Sequence, residues 1–295
     1  MSGSDPLEVM DPVYFAAGAT WDDRVTAWES LPQNHGFSAS NQIVVEDALN
    51  EQDSGLRAVV NIGAAALLAL LPHKRYLNLY DRPLVGTARP EPSPDRVKVD
   101  EKIRIDAEHT YFAAVALGGA GVRYYGDYCI VLELRLLADD TQLLDRDSYD
   151  LLLPPLADID VDDPKSTLVV DRISGSWGSD LRAMVLMRVL PELVHQPRLV
   201  TSGTISATVL RDQEFIEVHL HLPDSFTMRD VEEVRESPDE VAVEMRLRAR
   251  QGAGLAMPLV ESKWLERREL VWRALDANDK PTRVVTAHGQ GYQWK

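Results

Sequence analysis

One cysteine, Cys129, stands in 295 residues, so neither an intrachain disulfide nor a cysteine-rich zinc site can form. The apolar run Ile62 to Leu71 is too short to span a bilayer. The start, Met-Ser-Gly-Ser-Asp-Pro, lacks the basic and apolar regions of a signal peptide, which predicts a cytoplasmic protein. Positive charge is scarce: 31 Lys and Arg face 47 Asp and Glu, for a formal net charge of −16. That balance repels nucleic-acid backbones and anionic membranes, so neither is an expected partner. The basic residues are mostly Arg, the bias of a GC-rich bacterial genome.

Motifs are equally sparse. The glycines of Gly118-Gly-Ala-Gly121 lack the Lys-Ser or Lys-Thr helix start of a phosphate loop and lead into a strand-like run. The acidic stretch Pro154 to Lys165 lacks the glycine and terminal glutamate of a calcium loop, so it reads as a solvated acidic loop. There is no G-x-S-x-G elbow, internal repeat or low-complexity tract.

What is present reads as an α+β chain with a mixed, mainly antiparallel sheet, open to being split, and an N-terminal helical portion. Residues 1–12 are expected to form a flexible arm and 13–295 a single α+β domain, with 13–72 as an option for a helical lobe. Thr20 predicts an N-cap for a helix to Leu31, with Asp22 and Asp23 in its first turn and Trp21, Val25 and Trp28 on one face. Helices are also predicted over Asn41 to Asn50, Leu56 to Leu71, Glu108 to Leu117, Trp177 to Leu190, Thr227 to Arg235 and Trp264 to Leu275. Strands are predicted within Val97 to Ile105, Thr141 to Asp150, Leu199 to Leu210, Val241 to Arg248 and Arg283 to Tyr292. Prolines in Thr87 to Pro94 mark a rigid exposed loop.

The most informative stretch is Gln213 to Pro223, Q-E-F-I-E-V-H-L-H-L-P, predicted to pair as a hairpin with the preceding strand. As a strand it puts Ile216, Val218, Leu220 and Leu222 on one face and Phe215, Glu217, His219 and His221 on the other. Residues two apart on a face lie about 6 to 7 Å apart, within reach of one small ligand. Three chemistries use such a face. His219 and His221 with a third ligand such as Glu217, His195 or His109 can hold zinc or iron. Glu217 alone can orient a ribose hydroxyl or stabilise an oxocarbenium-like transition state. A histidine and carboxylate can act as general base and acid. The second needs a cation and aromatics, and Arg75, Tyr76, Tyr80, Arg123 and Tyr125 supply those types; it needs no metal.

Three segments together resemble bacterial proteins related to ADP-ribosyltransferase toxins: R-Y-L-N-L-Y-D-R at Arg75 to Arg82, V-R-Y-Y-G-D-Y-C-I-V-L at Val122 to Leu132, and F-I-E-V-H-L-H followed by the expected helix D-V-E-E-V. The resemblance implies a split-sheet cleft with NAD as substrate. In it Glu217 would be the catalytic glutamate and Arg75 the nicotinamide-side or phosphate-side arginine. Tyr76, Tyr80, Arg123 and Tyr125 would be further NAD contacts, with His219 and His221 as a supporting wall. The chain departs from that family in having no E-x-E or Q-x-E pair and no clear Ser-Thr-Ser strand. The expected function is therefore NAD-dependent glycosyl transfer or NAD hydrolysis, with a protein substrate or partner. The alternatives are a non-enzymatic acidic interaction module using Trp21 and Trp28, or a His-x-His metal enzyme.

Overall fold

The computed structural model describes residues 18–34, 39–50, 55–71, 75–78, 92–154, 156–158, 164–195, 201–211 and 214–285. The expected arm, Tyr80, most of the proline-rich loop, half of the acidic loop, and the end of the last expected strand lie outside them. Among the described residues, eight strands form one sheet in the order β10-β9-β3-β1-β2-β8-β4-β5. These are β1 (Leu56–Ile62), β2 (Thr110–Leu117), β3 (Tyr128–Leu132), β4 (Gln142–Leu144), β5 (Ser174–Ser176), β8 (Glu217–His221), β9 (Val231–Glu236) and β10 (Thr282–Val284). A two-residue hairpin, β6 (Leu210–Arg211) with β7 (Glu214–Phe215), stands apart. Every sheet pair is antiparallel except β9 with β10, as an α+β fold with a mixed, mainly antiparallel sheet requires.

The helices are α1 (Trp21–Ser30), α2 (Ala39–Asn50), α3 (Ala64–Leu70), α4 (Pro94–Ile103), α5 (Pro164–Ile173), α6 (Leu181–His195), α7 (Ser202–Val209), α8 (Pro238–Gly252) and α9 (Leu259–Asp276). Among the described residues no helix is long and apolar enough to cross a membrane. Thr20 caps α1 through a reciprocal capping box with Asp23, as its sequence predicts.

Several expected elements exchange type, and the reason is burial. Leu56 to Leu71 is a strand, a break at Gly63 and a short helix, not one helix. Thr110–Leu117 is a strand where a helix is predicted. Both strands lie in the middle of the sheet and carry apolar side chains on both faces, Ala58 and Val60 on one and Val59 on the other in the first strand, so strict alternation is lost. Such a run cannot be told from a buried helix by periodicity. The reverse exchanges fall on capped helices. Ser93 and Pro94 start α4, Ser237 and Pro238 start α8, and Thr201 with Thr204 starts α7. In each, the N-cap side chain accepts from a backbone N–H, and that signal outweighs local alternation. Among the described residues of the expected hydroxyl-bearing strand, only Leu210 pairs with the following segment, joined by Arg211 of the expected connection. Thr227 does cap a turn, but the turn is a 3-10 turn, Met228–Asp230, that runs into β9 rather than a helix.

One sheet face carries the main core. Ile130 of β3 and Val218 of β8 meet Trp28 of α1, Val185 of α6, Ile205 of α7 and Val271 of α9 there. Each such fully buried Ile or Val contributes about 1.5–3 kcal/mol. Trp21 and Trp28 are 7% and 3% exposed, and the Trp21 indole donates to the Ser174 carbonyl at 2.7 Å. They are core residues, which removes the tryptophan surface expected of an interaction module. The opposite face carries two smaller clusters. One packs Val99 and Ile103 of α4 and Ile173 of α5 onto Leu144, and the other packs Phe215 and Leu210 of the hairpin onto Val59 and Ala114.

Candidate functional site

On that second face the sheet is only partly covered, and a cleft of about 890 Å³ opens over it. Its lining includes Arg75, Tyr76, Tyr125 and Glu217, four of the residues singled out from the sequence. It also includes Arg96, Asp147 and Tyr149, which sequence reasoning did not single out.

Glu217 is held by register. β8 lies between β2 and β4, with Ala114 opposite Glu217 on one side and Leu144 on the other. The alternation within β8 then sends Val218 and Leu220 to the main core and Glu217 and His219 to the cleft face. Glu217 is 5% exposed. Its Oε2 accepts from the Ser148 backbone N–H at 3.1 Å, and its Oε1 lies 2.7 Å from His219 Nε2. A carboxylate buried this far needs such partners.

The two histidines separate. His219 is 3% exposed, and its Nδ1 lies 3.2 Å from the Gln142 side-chain oxygen. With both ring nitrogens engaged and Phe112 edge-on at 5.3 Å, His219 braces Glu217 and does not line the cleft. His221 is exposed at the strand end beside His109, with ring centroids 6.2 Å apart, and is also outside the cleft. The sequence expectation that groups both with Glu217 at one ligand is corrected: His219 is turned onto Glu217, and three residues of strand separate Glu217 from the exposed His221. Among the described residues no group of three His, Cys, Asp or Glu is placed to hold a metal ion.

Arg123 is corrected too. Its 3-10 turn, Arg123–Tyr125, points the guanidinium away from the cleft into the first turn of α8, where Nη1 donates to Asp239 at 2.9 Å and Nη2 to Glu240 at 2.5 Å. At 4% exposure it is a clamp that fixes the turn. The turn in its fixed position sets Tyr125 at the cleft. Gly126 completes the anchorage: a Cβ there would lie 2.1 Å from the Ile62 carbonyl carbon, so only glycine lets the turn approach β1.

Arg75 and Tyr76 come from the short segment after α3. Tyr76 stacks on Phe226 with ring centroids 4.7 Å apart, and its backbone N–H donates to the Phe226 carbonyl at 2.7 Å. That ties the segment to the loop after β8 and leaves the exposed Arg75 at the cleft wall.

Asp147 and Tyr149 arrive through the 3-10 turn Ser148–Leu152, which Asp147 caps by accepting from the Tyr149 N–H at 2.9 Å. The Tyr125 hydroxyl donates to Asp147 Oδ2 at 3.4 Å. Burial, reinforced by the charges of Glu217 and Asp150, pushes the Asp147 carboxyl up to about 6. Burial and the Asp147 and Glu217 charges also raise the Tyr125 phenol, which stays protonated. Arg96, from the first turn of α4, is spent on Asp100 and Ser148, with Nε 2.7 Å from Asp100 Oδ1 and Nη1 3.2 Å from Ser148 Oγ. It stacks on Phe112, 4.3 Å from the ring centre. The carboxylate-rich turn after Thr141 is visible in the sequence, but nothing local marks Asp147 among its neighbours as the one facing inward.

The cleft thus joins an apolar floor, tyrosines, cationic side chains and two carboxylates held by donors. Such a set has the chemistry to accept a partly aromatic, partly anionic small molecule and to stabilise positive charge developing next to Glu217. No family model, curated protein or solved structure matches this chain.

Proposed function

We propose that the cleft is the active site of an NAD-consuming enzyme that breaks the bond between nicotinamide and ribose, as an ADP-ribosyltransferase or NAD glycohydrolase. The observation that carries this reading is convergence. Arg75, Tyr76, Tyr125 and Glu217 come from three distant segments that resemble ADP-ribosyltransferase toxin-related proteins, and all four line one cleft. The cleft volume lies within the range of small-molecule and cofactor sites.

In this reading the tyrosines and apolar floor receive the nicotinamide ring, and Arg75 meets the diphosphate. Glu217, kept in place by His219 and the Ser148 N–H, stabilises the oxocarbenium-like ribose as nicotinamide departs. His219 is a positioning residue. A cytoplasmic setting, where NAD is available, accords with this activity. The acceptor is water or a group on a partner molecule.

The test is release of nicotinamide from NAD by the purified protein, beside Glu217→Gln, with NAD-induced thermal stabilisation measured for both. Loss of turnover by about 10²-fold or more in the variant, with stabilisation by NAD retained, is the expected outcome. A wild-type protein that neither releases nicotinamide nor is stabilised by NAD ends the proposal.

A further inference from the structure

We infer that Asp147 is the general base of this site and that the acceptor it activates is water. The inference rests on the NAD-cleaving reading of the cleft and adds the second half of its reaction.

Asp147 and Glu217 belong to one constellation. The backbone N–H of Ser148, the residue after Asp147, donates to Glu217 Oε2, so the two carboxylates reach the cleft from adjoining supports. Their surroundings assign them different work. Glu217 is 5% exposed and engaged at both oxygens, by Ser148 and by His219. It is suited to a fixed negative charge. Asp147 is less deeply buried, accepts from Tyr149 and, over a longer 3.4 Å, from Tyr125, and lines the cleft. Both its oxygens also accept, but the Tyr125 bond is long and the carboxylate is only half-buried, so it is the better placed of the two to take a proton.

The groups that face Asp147 are Glu217 from β8, Asp150 and Tyr149 from its own turn, and Tyr125 from the turn before β3. Arg96 lies beyond Tyr149, over its ring at 5.4 Å, and Arg146 next in sequence is paired with Asp145. Burial and the two neighbouring acids hold Asp147 at about 6, near the range in which a general base is both ionised and effective.

The step balances without any further reactant. The bond from ribose C1′ to the nicotinamide nitrogen breaks, and its electron pair leaves with nicotinamide, which becomes neutral. An oxygen lone pair of water bonds to C1′, and the proton of that water passes to Asp147, which releases it to solvent. NAD and water become ADP-ribose, nicotinamide and a proton.

The experiment measures nicotinamide release from NAD between pH 4.5 and 8.5 for wild type, Asp147→Asn and Glu217→Gln, with NAD-induced thermal shifts for each. Product analysis is carried out with water alone and with added agmatine as a guanidinium acceptor. The inference expects wild-type kcat to be flat above about pH 6 and to fall tenfold per pH unit below it. Asp147→Asn should lose about 10²-fold in kcat at pH 7.5 with KM and the NAD shift unchanged, and its low-pH limb should vanish. ADP-ribose should be the product, with no agmatine adduct. An Asp147→Asn enzyme as fast as wild type, an unchanged low-pH limb in that variant, or an agmatine adduct overturns the inference while leaving the Glu217 reading in place. Absence of both turnover and NAD stabilisation in wild type removes the reading and the inference together.

Discussion

Around Arg268 in α9, one guanidinium answers two carboxylates, bonding Glu236 of β9 and Glu244 of α8 at 2.8 Å, while Trp264, Trp272 and Tyr128 enclose its flat faces. Around Glu217, two carboxylates line a cleft, and the nearest guanidinium in their network, Arg96, is already bonded to Asp100. Glu217 and Asp147 are met instead by backbone N–H groups, a histidine and a phenol. Each cluster centres on a buried carboxylate, Glu236 or Glu217, and both bridge remote parts of the chain. The first neutralises its charge internally and encloses it. The second leaves negative charge without a matched cation beside an open space of ligand size, which is how a site differs from a strut.

The largest expected effect tests the strut. Arg268→Ala leaves Glu236, 5% exposed, without its cation and should destabilise the fold by about 3–5 kcal/mol in denaturant unfolding. A loss under about 1 kcal/mol would erase the contrast between the clusters. Glu217→Gln should cost only about 1 kcal/mol, because the amide still accepts from Ser148, although the same change removes nicotinamide release.

Asp147→Asn is expected to act in the opposite direction on stability. The folded carboxyl sits at about 6 against an ordinary value of 3.8, so the native state binds a proton more tightly than the unfolded chain. Ionisation of Asp147 therefore costs stability as pH rises from about 4 to 6, and the cost persists above that. The variant should be more stable than wild type by about 1–2 kcal/mol at pH 7 and equal to it below pH 4. Equal unfolding curves at pH 7 would show that Asp147 is not held against its charge. The smallest effect belongs to Arg248, a second, 46% exposed partner of Glu244. Arg248→Ala should change stability by less than about 0.5 kcal/mol.

Parts of the site were legible because strand alternation is a local property. F-I-E-V-H-L-H announces that Glu217 and Val218 face opposite ways, and the structure agrees. Arg75, Tyr76 and Tyr125 could be named as residue types in dense polar-aromatic runs. Alternation also grouped Glu217, His219 and His221 as equals, whereas the strand carries them from 5% and 3% exposure to an open end. Arg123 stood beside Tyr125 in sequence, yet the turn sends one to α8 and the other to the cleft. Asp147 and Arg96 went unmarked because their roles depend on which remote side chains they meet, Tyr125 and Phe112 among them.

By itself, the sequence determined that this is an α+β chain with caps at Thr20 and Thr227 and a strand that puts an acid opposite an apolar core. Those are decisions made within a few residues by side-chain period and N-cap chemistry. Only tertiary structure decided that Leu56–Ile62 and Thr110–Leu117 are central strands, since their largely apolar runs serve equally as buried helices until pairing with neighbours on both sides fixes them in the sheet. Tertiary structure alone also brought Arg75, Tyr125, Asp147 and Glu217 to one cleft, because contacts between segments so far apart in the chain are set by how the whole sheet packs.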